Sequence, residues 1–101
     1  MTRSYLYIHA RPGTRDELIR ALDRLELLTA TRHQPGLLAA EIQAPVGDES
    51  HVLVWSSWAS PEHHARWLAS SAYEQMLHET EELRAGDPEV RVYRVVDALQ
   101  A

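Results

Sequence analysis

Apolar positions along this chain alternate between a period of two and a period near 3.6, and each switch falls beside a Pro or Gly. Tyr5 to Ala10 is a β-rich run closed by Arg11-Pro12-Gly13, which predicts a first strand over residues 4 to 11. Thr14-Arg15-Asp16-Glu17 then has capping-box spacing, in which the Thr hydroxyl and the Glu carboxylate each satisfy a backbone amide left free at a helix start. Leu18, Ala21, Leu22, Leu25 and Leu28 follow at spacings of three and four, so one apolar stripe runs along a helix that ends before Pro35-Gly36. Leu37 to Ala44 reads as a second strand, broken by Pro45-Val46-Gly47-Asp48, and residues 51 to 58 as a third, in antiparallel hairpin relation to it. Ser60-Pro61-Glu62 is a helix start, and Ser71-Ala72-Tyr73-Glu74 offers a second, so residues 61 to 84 divide into two helices meeting near Ser70. Tyr73, Met76, Leu77, Thr80 and Leu83 form the inner face of the later one. Gly86-Asp87-Pro88 ends it, and Val90 to Val96 is the final strand.

The order β-α-β-β-α-α-β is a split βαβ, or ferredoxin-like, α+β arrangement: a four-stranded antiparallel sheet with helices on one face. The other face should then alternate with polar residues, yet Tyr5 and Tyr7 oppose Leu6 and Ile8 on strand 1, and Leu53 and Trp55 oppose Val52 and Val54 on strand 3. A partner sheet resolves this, which predicts a homodimer whose two sheets pack face to face as a dimeric α/β barrel. At 101 residues the chain has the length of one domain over 1–101, near the size at which a single core is adequate but small.

Composition narrows the chemistry. The net charge of -5 leaves no basic stripe for nucleic acid or an anionic membrane. All ten basic residues are Arg, and Lys, Asn, Phe and Cys are missing. Schiff-base lysines, thiol nucleophiles, disulfides and thiolate metal sites are therefore excluded. No apolar run has signal-peptide or membrane-span length, so a cytoplasmic location is expected. There is no H-x-H, no H-E-x-x-H and no Gly-rich strand-to-helix loop, so neither a metal nor a nucleotide cofactor is expected.

Site chemistry concentrates between His51 and Trp67, a segment with all three Trp and three of the six His. Strand parity sends Trp58, with Val52 and Val54, toward the helices, and Trp55 toward the dimer side, where His9 should also point. His63 and His64 diverge by about 100° on a helix, so they cannot line one pocket together. His64 is the pocket candidate. His63 belongs to the surface, where it and Trp67, four apart on one helical face, should stack together. His78 lies beside Glu79, Glu81 and Glu82, a wet neighbourhood, and His33 is explained by the dipole of a helix end. For each of these aromatics, packing in the core is the alternative to lining a pocket.

The Arg11-Pro12-Gly13 turn, Gln34-Pro35-Gly36, and above all Val52-Leu53-Val54-Trp55-Ser56-Ser57-Trp58-Ala59-Ser60 leading into a helix resemble the antibiotic biosynthesis monooxygenase (ABM) domain family over about residues 4 to 97. The resemblance implies the dimeric α/β-barrel fold and a pocket between helices and sheet. It implies a cofactor-independent monooxygenase that oxidises a phenolic or anthrone-like aromatic of polyketide type to a quinone with O2. Trp58 matches the family's pocket Trp. The family's Asn four residues earlier falls on Val54, its early helical Tyr on His64, and its later helical Arg near His78. The implied roles are His64 as base, Trp58 as wall and hydrogen-bond donor, His78 as a second catalytic candidate, and Trp67, Tyr73, Val54 and Leu6 as substrate lining. Because Val54 cannot hydrogen-bond a substrate oxygen, an isomerase or cyclase using His acid-base chemistry is an alternative. A haem-binding or haem-degrading protein, with His78 as axial ligand, is another; there the family's His position falls on Leu77 and its strand-1 Asn on Leu6.

Overall fold

The computed structural model describes residues 1–25 and 31–100. Strands β1 (Thr2–His9), β2 (Leu37–Gln43), β3 (His51–Trp58) and β4 (Glu89–Arg94) form one antiparallel sheet in the order β2-β3-β1-β4. Helices α1 (Arg15–Arg24), α2 (Pro61–Leu68) and α3 (Ser71–Thr80), with a 3-10 turn at Glu81–Leu83, complete the predicted ferredoxin-like order. Helix α1 ends at Arg24 with Leu25 at its C-cap, well short of Pro35-Gly36 where the apolar stripe placed its end; Leu28, expected on that stripe, lies outside the described residues. The first and last strands, β1 and β4, differ by one or two residues from their expected limits, and β2 ends one residue early. The hairpin strand β3 falls where the alternation put it.

Burial alternates strictly on β1, where Thr2, Ser4, Leu6 and Ile8 are buried and the residues between them half-exposed. Cross-strand register sets Leu6 opposite Val54, Ile8 opposite Val52, Ser4 opposite Ser56 and Thr2 opposite Trp58. The helix-facing side of the sheet therefore has an apolar end, built from Leu6, Ile8, Val52 and Val54, and a hydroxyl-rich end at Thr2, Ser4 and Ser56. Leu18 and Leu22 of α1, Trp67 of α2, and Tyr73 and Met76 of α3 close over it as one core. On the opposite side, Tyr5, Tyr7, Leu53 and Trp55 are only half-buried. Tyr5 meets Tyr93 edge to face, Arg3 lies over Trp55, and Arg91 lies over Tyr7.

The helix starts differ in how they are held. Ser60 and Ser70 cap α2 and α3, accepting from the backbone amides of His63 and Tyr73 at 3.3 and 3.2 Å. The second cap is thus one residue earlier than Ser71. Thr14 sits at the N-cap of α1 but makes no side-chain cap. Its hydroxyl donates instead to the carbonyls of Arg11 and Leu83, at 2.7 and 3.0 Å, and ties the first turn to the 3-10 turn.

Gly36 is a constrained turn position. Its φ is +82°, and a Cβ built there would lie 2.3 Å from Cγ of His63. Gly13 has a similar φ of +77° but open space around it. A left-handed backbone costs a non-glycine residue about 1–2 kcal/mol. Gly13→Ala should therefore lose about that much in urea unfolding. Gly36→Ala should lose clearly more, because the His63 ring must also move; equal losses would show that the ring yields freely.

Candidate functional site

The candidate site is the hydroxyl-rich end of the sheet and the first turns of α2. Ser60 and Pro61 fix the helix start. His64 and Trp67, three apart, then face inward, as period 3.6 requires. Trp58, the last residue of β3, is 0% exposed, and His64 is 4% exposed. Their rings meet edge to face with centroids 5.7 Å apart. His64 Nε2 lies 2.7 Å from the Ser4 hydroxyl oxygen of β1. The indole N–H of Trp58 donates to the Ser56 hydroxyl at 2.8 Å. Ser4 and Ser56 face each other across β1 and β3, so one cross-strand pair of hydroxyls holds both aromatic rings.

Burial lowers the pKa of His64 below the ordinary imidazole value, because charging the ring would cost solvation that the core does not return. The ring is held neutral, the form that accepts a proton. The stability linked to this is complete above the unfolded value of about 6.5. As pH falls below it, the unfolded chain takes up a proton that the native state resists, so stability drops until the folded pKa is passed. The melting temperature should accordingly fall with acidification over that window, and less so in His64→Gln. Parallel curves for the two proteins would contradict this assignment.

Trp67 and Tyr73 stack edge to face at 5.7 Å, beside Leu6 and Val54 in the same core. Burial raises the pKa of the Tyr73 phenol, and the positive charge of Arg84 pulls it back in part. Arg84 is itself buried and donates to the Thr80 hydroxyl and to the carbonyls of Leu77 and Gly86, locking the end of α3. The chain thus brings together His64, Trp58, Trp67, Tyr73, Val54 and Leu6.

His78 is not among them. It is exposed, in a surface depression of about 440 Å3 with Glu17, Arg24, Glu79, Glu81, Glu82 and Leu83. Leu83 is the single apolar residue of that lining, against the several apolar walls a macrocycle needs. Other depressions lie against Arg32 and Leu37 to Ala40, between Tyr5, Tyr7 and Tyr93, and around Arg15. None of these is lined by His64 or Trp58. Among the described residues, no group of three or more His, Cys, Asp or Glu could hold a metal ion, and no helix is long and apolar enough to cross a membrane.

Two expectations from sequence need correction. The Trp58 indole N–H is committed to Ser56, so it is not a free donor for a ligand. His63 does not stack on Trp67; its Nδ1 lies 2.7 Å from the Ser60 hydroxyl, and its ring covers Gly36. Ser4 and Ser56 were missed. The available signal was parity: a hydroxyl at a core-facing strand position must find a partner or lose its solvation uncompensated.

The profile of the family described as antibiotic biosynthesis monooxygenase matches residues 1–79. No curated protein matches the chain. Among solved structures, a protein of the same description from Deinococcus radiodurans superposes with a TM-score of 0.83 at 20% identity, covering 100% of this chain and 98% of its own. Rv0793 from Mycobacterium tuberculosis gives 0.81 at 19% identity, with 98% of each chain covered. A conserved protein from Methanosarcina mazei Go1 gives 0.79 at 13% identity, covering 92% of this chain and 90% of that one. At these identities the likeness shows a shared fold.

Proposed function

The chain belongs to the antibiotic biosynthesis monooxygenase family, and from that premise we propose that it is a cofactor-independent monooxygenase converting a phenolic or anthrone-like aromatic to a quinone with O2. The observation that carries this reading is the neutral, buried imidazole of His64 against the indole of Trp58. Such substrates need little from a protein beyond desolvation, orientation and removal of a proton. His64 takes the phenolic or enolic proton. The resulting anion transfers one electron to O2, and the substrate radical and superoxide combine as a peroxide. The returned proton goes to the outer peroxide oxygen; the O–O bond then breaks as the ring carbon gives up its remaining C–H proton, leaving one oxygen on that carbon as a carbonyl and releasing the other as water, whose two hydrogens are those two protons. Oxidation of a ring CH2 to C=O and reduction of O2 thereby balance.

Trp58, Trp67, Tyr73, Leu6 and Val54 would form the walls, and α2 must part from the sheet to admit a planar ring. Val54 favours a second reading. It provides no hydrogen bond where the resemblance expects Asn, and an isomerase or cyclase acting on the same class of substrate needs none. Turnover of an anthrone or dihydroxynaphthalene in air and under argon separates the two. The oxygenase reading predicts oxygen uptake matched to quinone and no product under argon; product formed equally without oxygen would replace it with the isomerase.

The half-buried face bearing Tyr5, Tyr7, Leu53 and Trp55 is, in the same proposal, covered by a second copy of the chain, sheet to sheet. A central Trp in an interface commonly contributes about 2 kcal/mol or more. Trp55→Glu should thus raise the dimer dissociation constant at least thirtyfold in sedimentation equilibrium. A wild-type protein that sediments as a monomer would remove the barrel.

A further inference from the structure

The apolar side chains that the fold leaves uncovered gather at the two edges of the sheet. Among the described residues, Val92 and Tyr93 of β4, Val96 and Leu99 of the tail that follows it, and Leu38 of β2 are exposed, Val96 by 84% and Leu99 by 92%. Leu38 is the extra residue of a bulge, since Leu37 pairs with Trp58 while Ala39 pairs with Ser57. With Arg32, Leu37, Ala39 and Ala40 it lines a surface depression of about 340 Å3, to which the tail of the same copy contributes nothing. β2 and β4 are opposite edges of the sheet.

One row across the open face is set by register: Glu41 pairs with Trp55, Trp55 with Tyr5, and Tyr5 with Arg91. An acid therefore marks the β2 edge, a base the β4 edge, and two aromatics the middle. Two such sheets stacked with their strands aligned have two choices of two-fold axis. An axis across the strands lays β4 over the partner's β4 and β2 over its β2, which sets like charge toward like. An axis along the strands lays β4 over the partner's β2 at the same level, so Arg91 meets the partner's Glu41 at both edges. Complementary potentials favour the second arrangement. Arg91 already holds Glu89 at 2.9 Å, and its guanidinium has donors left for another carboxylate. The same axis carries each tail to the partner's depression. Arg94 pairs with Thr2, Thr2 with Trp58, and Trp58 with Leu37, so the tail leaves β4 at the level where β2 begins.

We propose that the dimer axis runs along the strands and that each tail, residues 95–100, crosses to the partner and seats Val96 and Leu99 in the depression beside the partner's Leu38, with Asp97 toward the partner's Arg32. The proposal rests on the sheet-to-sheet dimer above and adds its axis and a second contact outside the barrel. Leu37 is the β2 neighbour of Trp58, so the seated tail braces the strand pair that carries the wall of the candidate site.

The chain has no cysteine, so single thiols report the contact directly. Leu38→Cys and Val96→Cys proteins, mixed in equal amounts, left to exchange subunits and oxidised, should give a disulfide-linked dimer that neither forms alone. Glu41→Arg and Arg91→Glu should each raise the dimer dissociation constant about tenfold or more, as juxtaposed like charges do, and the double variant should recover most of that loss. A wild-type dimer whose thiol mixture links no better than the single variants, or whose two charge losses add, overturns the proposal and leaves the barrel standing. A wild-type protein that sediments as a monomer removes both.

Discussion

Trp58→Ala is expected to lower the unfolding free energy by about 3–5 kcal/mol, the range for truncating a buried aromatic. Trp58 is fully buried at the end of β3, between Thr2 on β1 and Leu37 on β2. Removing the indole opens a cavity under α2, strips the edge contact from His64, and leaves Ser56 without its donor. Native domains are stable by only about 5–15 kcal/mol, so the variant should unfold at much lower urea than the wild type. Trp58→Phe keeps most of the volume but loses the N–H, and should cost about 1–2 kcal/mol. A cost below about 1 kcal/mol for the alanine variant would mean that the side chain lines an open pocket and is not packed as found.

His64→Gln is expected to reduce kcat by about 10²- to 10⁴-fold on a phenolic substrate, the usual contribution of a positioned general base. The amide has a similar reach to Ser4 but cannot take a proton at working pH. If His64 acts in the transition state, kcat and kcat/KM should fall together. A raised KM with an unchanged kcat would assign His64 to binding alone. The variant should remain folded, as circular dichroism would report, because Gln can keep a hydrogen bond to the Ser4 hydroxyl.

Much of this was legible in the residues. Turn signals at Pro12-Gly13, Pro35-Gly36 and Gly86-Asp87-Pro88 bound the elements, since backbone constraints there act locally. The two-residue period of β1 and β3 separated Trp55 from Trp58, and helical phase separated His63 from His64. Those distinctions survive because they depend only on which way a Cβ points. Long-range pairing was not legible. Thr14 satisfies the criteria for a capping box, yet its hydroxyl goes to Leu83, a residue brought near only by the tertiary fold. His63 and Trp67 share a helical face, but Trp67 finds a better partner in Tyr73 on the next helix.

Ser4 illustrates the limit most clearly. Sixty positions separate it from His64, and no local pattern links a serine on the first strand to a histidine on the second helix. Its parity could have marked it as a buried hydroxyl in need of a partner. The partner itself follows only from β1 lying beside β3, with α2 crossing above both. The buried charge of Arg84 is a different case, since its three acceptors, Leu77, Thr80 and Gly86, all lie within seven residues of it.

The central claim is that neutral His64 removes the substrate's proton before oxygen takes part. Anaerobic mixing of the protein with an anthrone, followed by its absorbance, tests this most directly. The wild type should generate the bound anion without oxygen, and His64→Gln should leave the substrate protonated. An anion that forms equally in both proteins, or in neither, would contradict the account.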